Sequence, residues 1–148
     1  MASAEWNIFY IDDDEDDHEI FALAVENVAT PPIVVHSFSS GEVFLREFKH
    51  TLPNSIVFLD INMPGKSGFD VLRALRKQFP KQELPVIMFS TSCDDRTLML
   101  SNDFGATRYL QKTPSLKQLS KSIAHIVTEG DLQTDGDCML VKLNQELN

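Results

Sequence analysis

The residues best suited to chemistry are carboxylates that come directly after short apolar runs. Asp60 follows the run Ile56–Leu59, and the pair Asp12 and Asp13 follows the run Trp6–Ile11. An apolar run of this length, bounded by polar or turn residues, predicts a buried strand. We therefore expect each of these carboxylates to lie where a strand leaves the core and meets solvent.

Two further polar residues occupy similar positions. Ser90 ends the apolar run Val86–Phe89, and Lys112 follows the short run Arg108–Leu110. In an open parallel sheet the carboxyl ends of the strands meet at one edge, where ligands bind. Clustered carboxylates repel one another unless a cation lies between them, and an oxygen-only ligand set suits Mg²⁺. A hydroxyl and an ammonium group are donors suited to phosphoryl oxygens, so the pattern predicts a divalent-cation site beside a phosphoryl site.

Five strand-like runs alternate with five helical segments along the chain. The predicted strands are Trp6–Ile11, Ile33–Val35, Ile56–Leu59, Val86–Phe89 and Arg108–Leu110. The predicted helices are about Glu15–Val28, a segment carrying Phe44 and Phe48, Phe69–Phe79, Asp94–Phe104, and a last helix capped by Ser115. Parallel neighbours need crossover connections, so this alternation predicts an α/β fold with a doubly wound parallel sheet.

The 148 residues are most simply one domain, residues 1–128, followed by a C-terminal extension, residues 129–148. The extension is rich in turn residues and carries an apolar stripe at Leu140, Leu143 and Leu147. Nothing after residue 128 is long or basic enough for a helix-turn-helix. We therefore expect no separate output domain.

Charge and composition restrict the classes of partner. A net charge of −9 argues against nucleic-acid binding, which needs a basic surface. No apolar run approaches the roughly 20 residues of a membrane span, and the first residues do not resemble a signal peptide. Cys93 and Cys138 have neither metal-ligand spacing nor the pattern of a disulfide framework, which suits a reducing compartment. These features predict a cytoplasmic protein that meets protein partners or cations.

Taken together, these motifs resemble the receiver domain of two-component response regulators, including the single-domain chemotaxis type. The resemblance covers about residues 7–128. It depends on Asp12 and Asp13, on the block Leu59–Gly65, on Ser90 at a strand end, and on the pair Tyr109 and Lys112. It implies a flavodoxin-like fold, with five helices around a five-stranded parallel sheet in the order 2-1-3-4-5.

The resemblance also implies an acceptor and a metal site. Asp60 would accept a phosphoryl group from a histidine kinase or a histidine phosphotransfer protein. Asp13 and Asp60 would bind Mg²⁺, for which Mn²⁺ or Ca²⁺ could substitute. Asp12 would help through a water molecule, and the backbone carbonyl of Asn62 would supply another ligand.

The remaining implied roles concern the switch. Ser90 would bond a phosphoryl oxygen, and Lys112 would pair with Asp60 and then with its phosphate. Tyr109 would move between outward and inward positions and so change the face made by the fourth helix, fifth strand and fifth helix. An unknown protein target would read this face, and the chain would be a monomer or a weak homodimer.

Several alternatives stay open at this point. The chain could be a terminal switch or a relay station, a magnesium-dependent phosphatase with an aspartyl nucleophile, or an unphosphorylated scaffold. The phosphatase pattern needs an aspartate two residues after the nucleophile, where this chain has Asn62. The sequence Lys112-Thr113-Pro114 places proline one position later than the family does, which leaves open whether the Lys112–Thr113 bond is cis. We interpret the acidic run Asp14–Asp17 as a solvated helix start.

Overall fold

The computed structural model describes residues 5–49 and 51–129, and within them strands and helices alternate strictly. The strands are β1 (Trp6–Ile11), β2 (Ile33–Phe38), β3 (Ser55–Leu59), β4 (Val86–Ser90) and β5 (Arg108–Gln111). The helices are α1 (Glu15–Glu26), α2 (Gly41–Glu47), α3 (Gly68–Gln78), α4 (Asp95–Asp103) and α5 (Leu116–Glu129).

All five strands are parallel and lie in the order β2-β1-β3-β4-β5, which confirms the predicted fold. Successive strand residues face opposite sides of the sheet, so each strand contributes to two cores. In β1, Phe9 and Ile11 pack with residues of α2, α3 and α4, whereas Ile8 and Tyr10 pack with residues of α1 and α5. Burial on both faces explains why the strands read as nearly continuous apolar runs.

Strand β2 continues three residues beyond its predicted end at Val35, through to Phe38. The sequence pattern does not predict these extra strand residues because His36 is polar and interrupts the apolar run. Its ring stacks on Phe9 with a centroid distance of 4.6 Å, and its Nε2 lies 3.1 Å from Oδ1 of Asn7. The neighbouring strand therefore provides a partner for a polar side chain that lies beyond the predicted end of the strand.

The backbone geometry also shows whether the peptide bond between Lys112 and Thr113 is cis. Within the described residues the only cis peptide bond precedes Pro31, so the bond between Lys112 and Thr113 is trans. Cys93 is disulfide-bonded, although the sequence lacks the cysteine pattern of a disulfide framework. The cysteines therefore lend no support to a reducing compartment.

Two further expectations concern the C-terminal extension and the absence of a membrane-spanning segment. The predicted C-terminal extension lies outside the described residues except for Glu129, and so do Cys138 and the leucine stripe. Among the described helices, none is both long and apolar enough to cross a bilayer.

Candidate functional site

The carboxylates predicted at the strand ends lie together. Ligand oxygens of Asp12, Asp13 and Asp60 all lie within 4.8 Å of one another. The sheet register explains this proximity, because Ile11 pairs with Leu59 and the backbone N–H of Asp60 donates to the carbonyl oxygen of Ile11 at 3.0 Å. Asp12 is fully buried and Asp60 nearly so, whereas Asp13 is exposed. The cluster is thus open to solvent on the Asp13 side.

Lys112 reaches into this cluster from the end of β5. Its backbone N–H donates to the carbonyl oxygen of Ser90 at 2.7 Å, which fixes the start of its side chain. Its Nζ lies 2.7 Å from Oδ2 of Asp12, 2.8 Å from Oδ2 of Asp17 and 3.3 Å from Oδ1 of Asp60. The predicted pairing with Asp60 is present, but it is the longest of the three. Asp17 lies in the first turn of α1 as predicted, but its carboxylate is partly buried and pairs with a site residue instead of only facing solvent.

Asp12 is the most extensively hydrogen-bonded member of the cluster. Its Oδ2 accepts a 2.8 Å hydrogen bond from the hydroxyl of Tyr10, and its Oδ1 accepts one of 3.0 Å from the backbone N–H of Asp14. Nε2 of His18 lies 2.7 Å from the backbone carbonyl oxygen of Asp12, and the His18 ring packs edge-on against Tyr10. A buried carboxylate needs such partners, and here they also fix its orientation.

The electrostatics of the pocket favour positive charge. Burial raises the pKa of Asp60 to about 6, the charge of Lys112 opposes the rise, and the charge of Asp12 adds to it. Burial lowers the pKa of Lys112, but hydrogen bonds to Asp12 and Asp17 outweigh burial and hold it above its usual value. Burial and the charge of Asp12 raise the pKa of Tyr10, so its hydroxyl keeps its proton. A cation among the carboxylates would relieve their repulsion.

Ser90 and Tyr109 both hydrogen-bond to the backbone of Ser92. Ser90 ends β4 and is 1% exposed, and its Oγ accepts a 3.4 Å hydrogen bond from the backbone N–H of Ser92. Tyr109 is fully buried in the core beneath α4, and its hydroxyl donates to the carbonyl oxygen of Ser92 at 2.5 Å. Tyr109 therefore occupies an inward position.

The backbone of the loop after Asp60 packs closely against the start of α3. The N–H of Gly68 donates to the carbonyl oxygen of Ile61 at 2.9 Å. A Cβ at Gly68 would lie 2.2 Å from the carbonyl oxygen of Asp60, so only glycine fits at this close approach. Asn62 is exposed in this same loop, two residues after Asp60.

Sequence reasoning missed Tyr10 and Asp17 as parts of the site, although the chain carried a signal for each. Tyr10 precedes Asp12 by two residues in an extended segment, which places both side chains on one face. Asp17 precedes the buried residues Phe21 and Ala24 by four and seven positions, so it shares the inward stripe of α1. An acidic residue on an inward stripe predicts a buried partner, which here is Lys112.

Comparison with known proteins agrees with this geometry. A family model described as the response regulator receiver domain matches residues 8–124. The probable C4-dicarboxylate response regulator DctR of Bacillus subtilis is 32% identical over 126 residues, which cover 83% of this chain and 53% of the relative. Response regulator Rcp1 of Synechocystis is 28% identical over 80 residues, which cover 54% of each chain. This chain spans about half the length of these curated relatives.

Solved structures show the same fold. The crystal structure of the phosphorylated cyanobacterial phytochrome response regulator RcpA superposes with a TM-score of 0.71 at 24% identity, covering 86% of this chain and 97% of the other. The Mn²⁺-bound form of response regulator Rcp1 gives a TM-score of 0.68 at 22% identity, covering 87% and 99%. With the family match over most of its length, the chain belongs to the receiver domain family of two-component response regulators.

Proposed function

We propose that the chain is a signalling switch in which Asp60 accepts a phosphoryl group from a phosphohistidine on a histidine kinase or a histidine phosphotransfer protein. The observation that supports this most strongly is the position of Asp60. Its carboxylate follows the end of a sheet strand, with oxygens of Asp12 and Asp13 within 4.8 Å and the ammonium group of Lys112 at 3.3 Å. A nucleophile, a cation pocket and a fixed positive charge therefore share one site.

The chemistry of the pocket fits Mg²⁺. Asp13, Asp60 and the backbone carbonyl of Asn62 would bind the ion, and Asp12 would assist through a water molecule. The ligands are all oxygen atoms, and burial together with the charge of Asp12 raises the pKa of Asp60, so a cation bound there would favour its ionised form. When bound, the ion would neutralise charge on the transferring phosphoryl group. Mn²⁺ or Ca²⁺ could substitute.

The transfer itself is a simple exchange of bonds. A carboxylate oxygen of Asp60 attacks the phosphorus atom, the new O–P bond forms, and the P–N bond breaks with its electron pair returning to the donor imidazole. Lys112 and the hydroxyl of Ser90 then donate hydrogen bonds to phosphoryl oxygens. Positioning and electrostatics supply most of the catalysis in such transfers, which is why a few fixed groups suffice.

The phosphoryl group would act on the rest of the domain through Ser90. It adds a charge of roughly −1.5 to −2 and strong acceptor oxygens. If Ser90 turns toward these oxygens, the N–H of Ser92 loses its acceptor, and the carbonyl group that holds Tyr109 shifts with it. The face formed by α4, β5 and α5 would change in consequence and alter binding of a protein target.

The same proposal covers the organisation of the protein. Residues 1–128 would make up the receiver domain, and an extension would begin at residue 129. The chain works in the cytoplasm as a monomer or weak homodimer, either as a terminal switch or as a relay. It is a signalling protein that catalyses only its own phosphorylation and dephosphorylation.

The test is incubation with acetyl phosphate, followed by intact-mass measurement. We expect one added phosphoryl group in the presence of Mg²⁺, and none after chelation or in Asp60→Asn. Asp13→Asn should need far more Mg²⁺, whereas Asp103→Asn, an exposed aspartate on α4, should behave as wild type. Multiple turnover of unrelated phosphate esters would instead favour a phosphatase, and Mg²⁺ binding without any adduct would favour a scaffold.

A further inference from the structure

The three carboxylates around Lys112 lie at unequal distances from its ammonium group, and these distances affect how the lysine can bind a phosphoryl group. An ammonium group has three protons, and three carboxylates surround this one. The contacts with Asp12 and Asp17 are full hydrogen bonds at 2.7 and 2.8 Å, whereas the contact with Asp60 is 3.3 Å. Lys112 therefore lies closer to Asp12 and to Asp17 of α1 than to the residue on which the phosphoryl group would sit.

We propose that Asp17 is a positioning residue that holds Lys112 toward α1 and so limits how strongly the lysine engages a phosphoryl group on Asp60. The inference rests on the proposed function of Asp60. It assigns a role in this site to the first turn of α1, beyond the carboxylates at the strand ends.

Burial identifies Asp17 as the partner that Lys112 can give up. The Lys112 side chain is 13% exposed and held by two acceptors, so it can move closer to a phosphoryl oxygen on Asp60 only by weakening one of these contacts. The Asp12 side chain is fully buried, so water cannot replace the lysine at its Oδ2, and losing this partner is strongly unfavourable. The Asp17 side chain is 29% exposed, so water can solvate its carboxylate after release.

The two effects of removing Asp17 act in the same direction. Neutralising its carboxylate frees one proton of Lys112 for the phosphoryl oxygens. It also removes one negative charge from a pocket that must accept an anionic group. Both changes strengthen phosphoryl binding, so the sign of the expected result does not depend on how the two effects are divided.

The neighbouring residue Asp16 provides a matched control. It lies in the same first turn of α1, carries the same charge, and is exposed to solvent. Asp16→Asn therefore changes the net charge by the same amount as Asp17→Asn, but it leaves the hydrogen-bonded ion pair between Asp17 and Lys112 in place. Asp17→Glu keeps the charge and can still reach the lysine with its longer side chain.

The experiment is a titration of the Mg²⁺-loaded protein with beryllofluoride, an anionic phosphoryl mimic, followed by ¹⁹F NMR of the bound fluoride. The half-saturating concentration should fall about 3- to 10-fold in Asp17→Asn, the range expected for one partly exposed ion pair. It should change less than about twofold in Asp16→Asn and Asp17→Glu. In the metal-free protein, the ¹⁵N-resolved ammonium signal of Lys112 should shift in Asp17→Asn and stay in place in Asp16→Asn.

The outcomes separate this inference from the proposed function. If wild type binds beryllofluoride and Asp17→Asn binds it no more tightly than Asp16→Asn does, the positioning role is wrong and the function of Asp60 stands. If wild type with bound Mg²⁺ takes up neither beryllofluoride nor a phosphoryl group, the proposed function fails and this inference fails with it.

Discussion

The hydroxyl of Tyr10 donates a 2.8 Å hydrogen bond to Oδ2 of Asp12, and both side chains are buried. The same oxygen accepts a hydrogen bond from Lys112 at 2.7 Å. A tyrosine in the core of the sheet and the site lysine thus donate hydrogen bonds to the same oxygen of a site carboxylate. The orientation of Asp12 therefore depends on a residue that would otherwise count only as part of the hydrophobic core.

The first prediction concerns Tyr10→Phe, which keeps the ring and its stacking on Phe21 but removes the hydroxyl. Because a hydrogen bond to a charged group is lost, the free energy of unfolding should fall by about 1.5–3 kcal/mol. Mg²⁺ affinity should fall roughly tenfold, since Asp12 loses a group that orients it. Urea unfolding and calorimetric titration with Mg²⁺ measure the two effects.

Tyr109→Phe is the matched control, because the Tyr109 hydroxyl donates to a neutral backbone carbonyl and not to a carboxylate. It should cost about 1 kcal/mol of unfolding free energy and leave Mg²⁺ affinity unchanged. Equal effects of the two variants on Mg²⁺ binding would rule out a special role for Tyr10.

The second prediction follows from the raised pKa of Asp60. The folded protein keeps the Asp60 proton up to about pH 6, whereas the unfolded chain releases it near the ordinary value of 3.8. The ionised carboxylate therefore destabilises the fold, a cost absent below about pH 4 and complete above pH 6 to 7. In Mg²⁺-free buffer, Asp60→Asn should be more stable than wild type by at most about 3 kcal/mol at neutral pH.

Unfolding measured by urea from pH 4 to pH 7.5 checks this linkage. The difference between wild type and Asp60→Asn isolates one carboxylate from the other titrating groups. A difference that does not grow as pH rises would show that burial does not raise the pKa of Asp60.

The third prediction concerns the path from Ser90 through Ser92 to Tyr109. The chain has only two tyrosines, so 3-fluorotyrosine labelling gives two ¹⁹F signals that are readily assigned. Beryllofluoride with Mg²⁺ should shift the Tyr109 signal in wild type and in Ser90→Thr, which keeps the hydroxyl. In Ser90→Ala the shift should be largely lost while beryllofluoride still binds. An undiminished shift in Ser90→Ala would place the coupling outside this path.

The fourth prediction concerns the close approach of α3 to the backbone of Asp60. At an open position in a helix, glycine to alanine stabilises by about 0.5–1 kcal/mol. At Gly68 the added Cβ would collide with the carbonyl group of Asp60, so Gly68→Ala should destabilise by about 1–3 kcal/mol or more and slow phosphorylation by acetyl phosphate. Thermal unfolding and intact-mass kinetics report the two results, and a stabilised variant would contradict the assigned contact.

The sequence was sufficient for the order of elements and for the residues at the strand ends. Apolar runs and their polar terminators are local signals, and a parallel sheet brings such termini to one edge. This is why Asp12, Asp13, Asp60, Ser90 and Lys112 could be grouped before their positions were known. Their roles in metal binding and phosphoryl transfer stay predictions that the experiments above address.

Contacts between distant segments could not be deduced in the same way. The pairing of Lys112 with Asp17 joins residues 95 positions apart, and it depends on the rotation of α1 relative to β5. His36 was hidden for a similar reason, because its stacking on Phe9 depends on strand pairing. Polar residues with distant partners look like surface or loop residues when only their neighbours in sequence are considered.

The central claim is that Asp60 is the phosphoryl acceptor, and locating the phosphoryl group tests it most directly. Wild type is incubated with acetyl phosphate and Mg²⁺, the acyl phosphate is reduced with borohydride, and peptide mass spectrometry finds the reduced position. We predict homoserine at position 60 in the phosphorylated sample only. A label at Asp12 or Asp13, or no label in protein that binds Mg²⁺, would contradict the account.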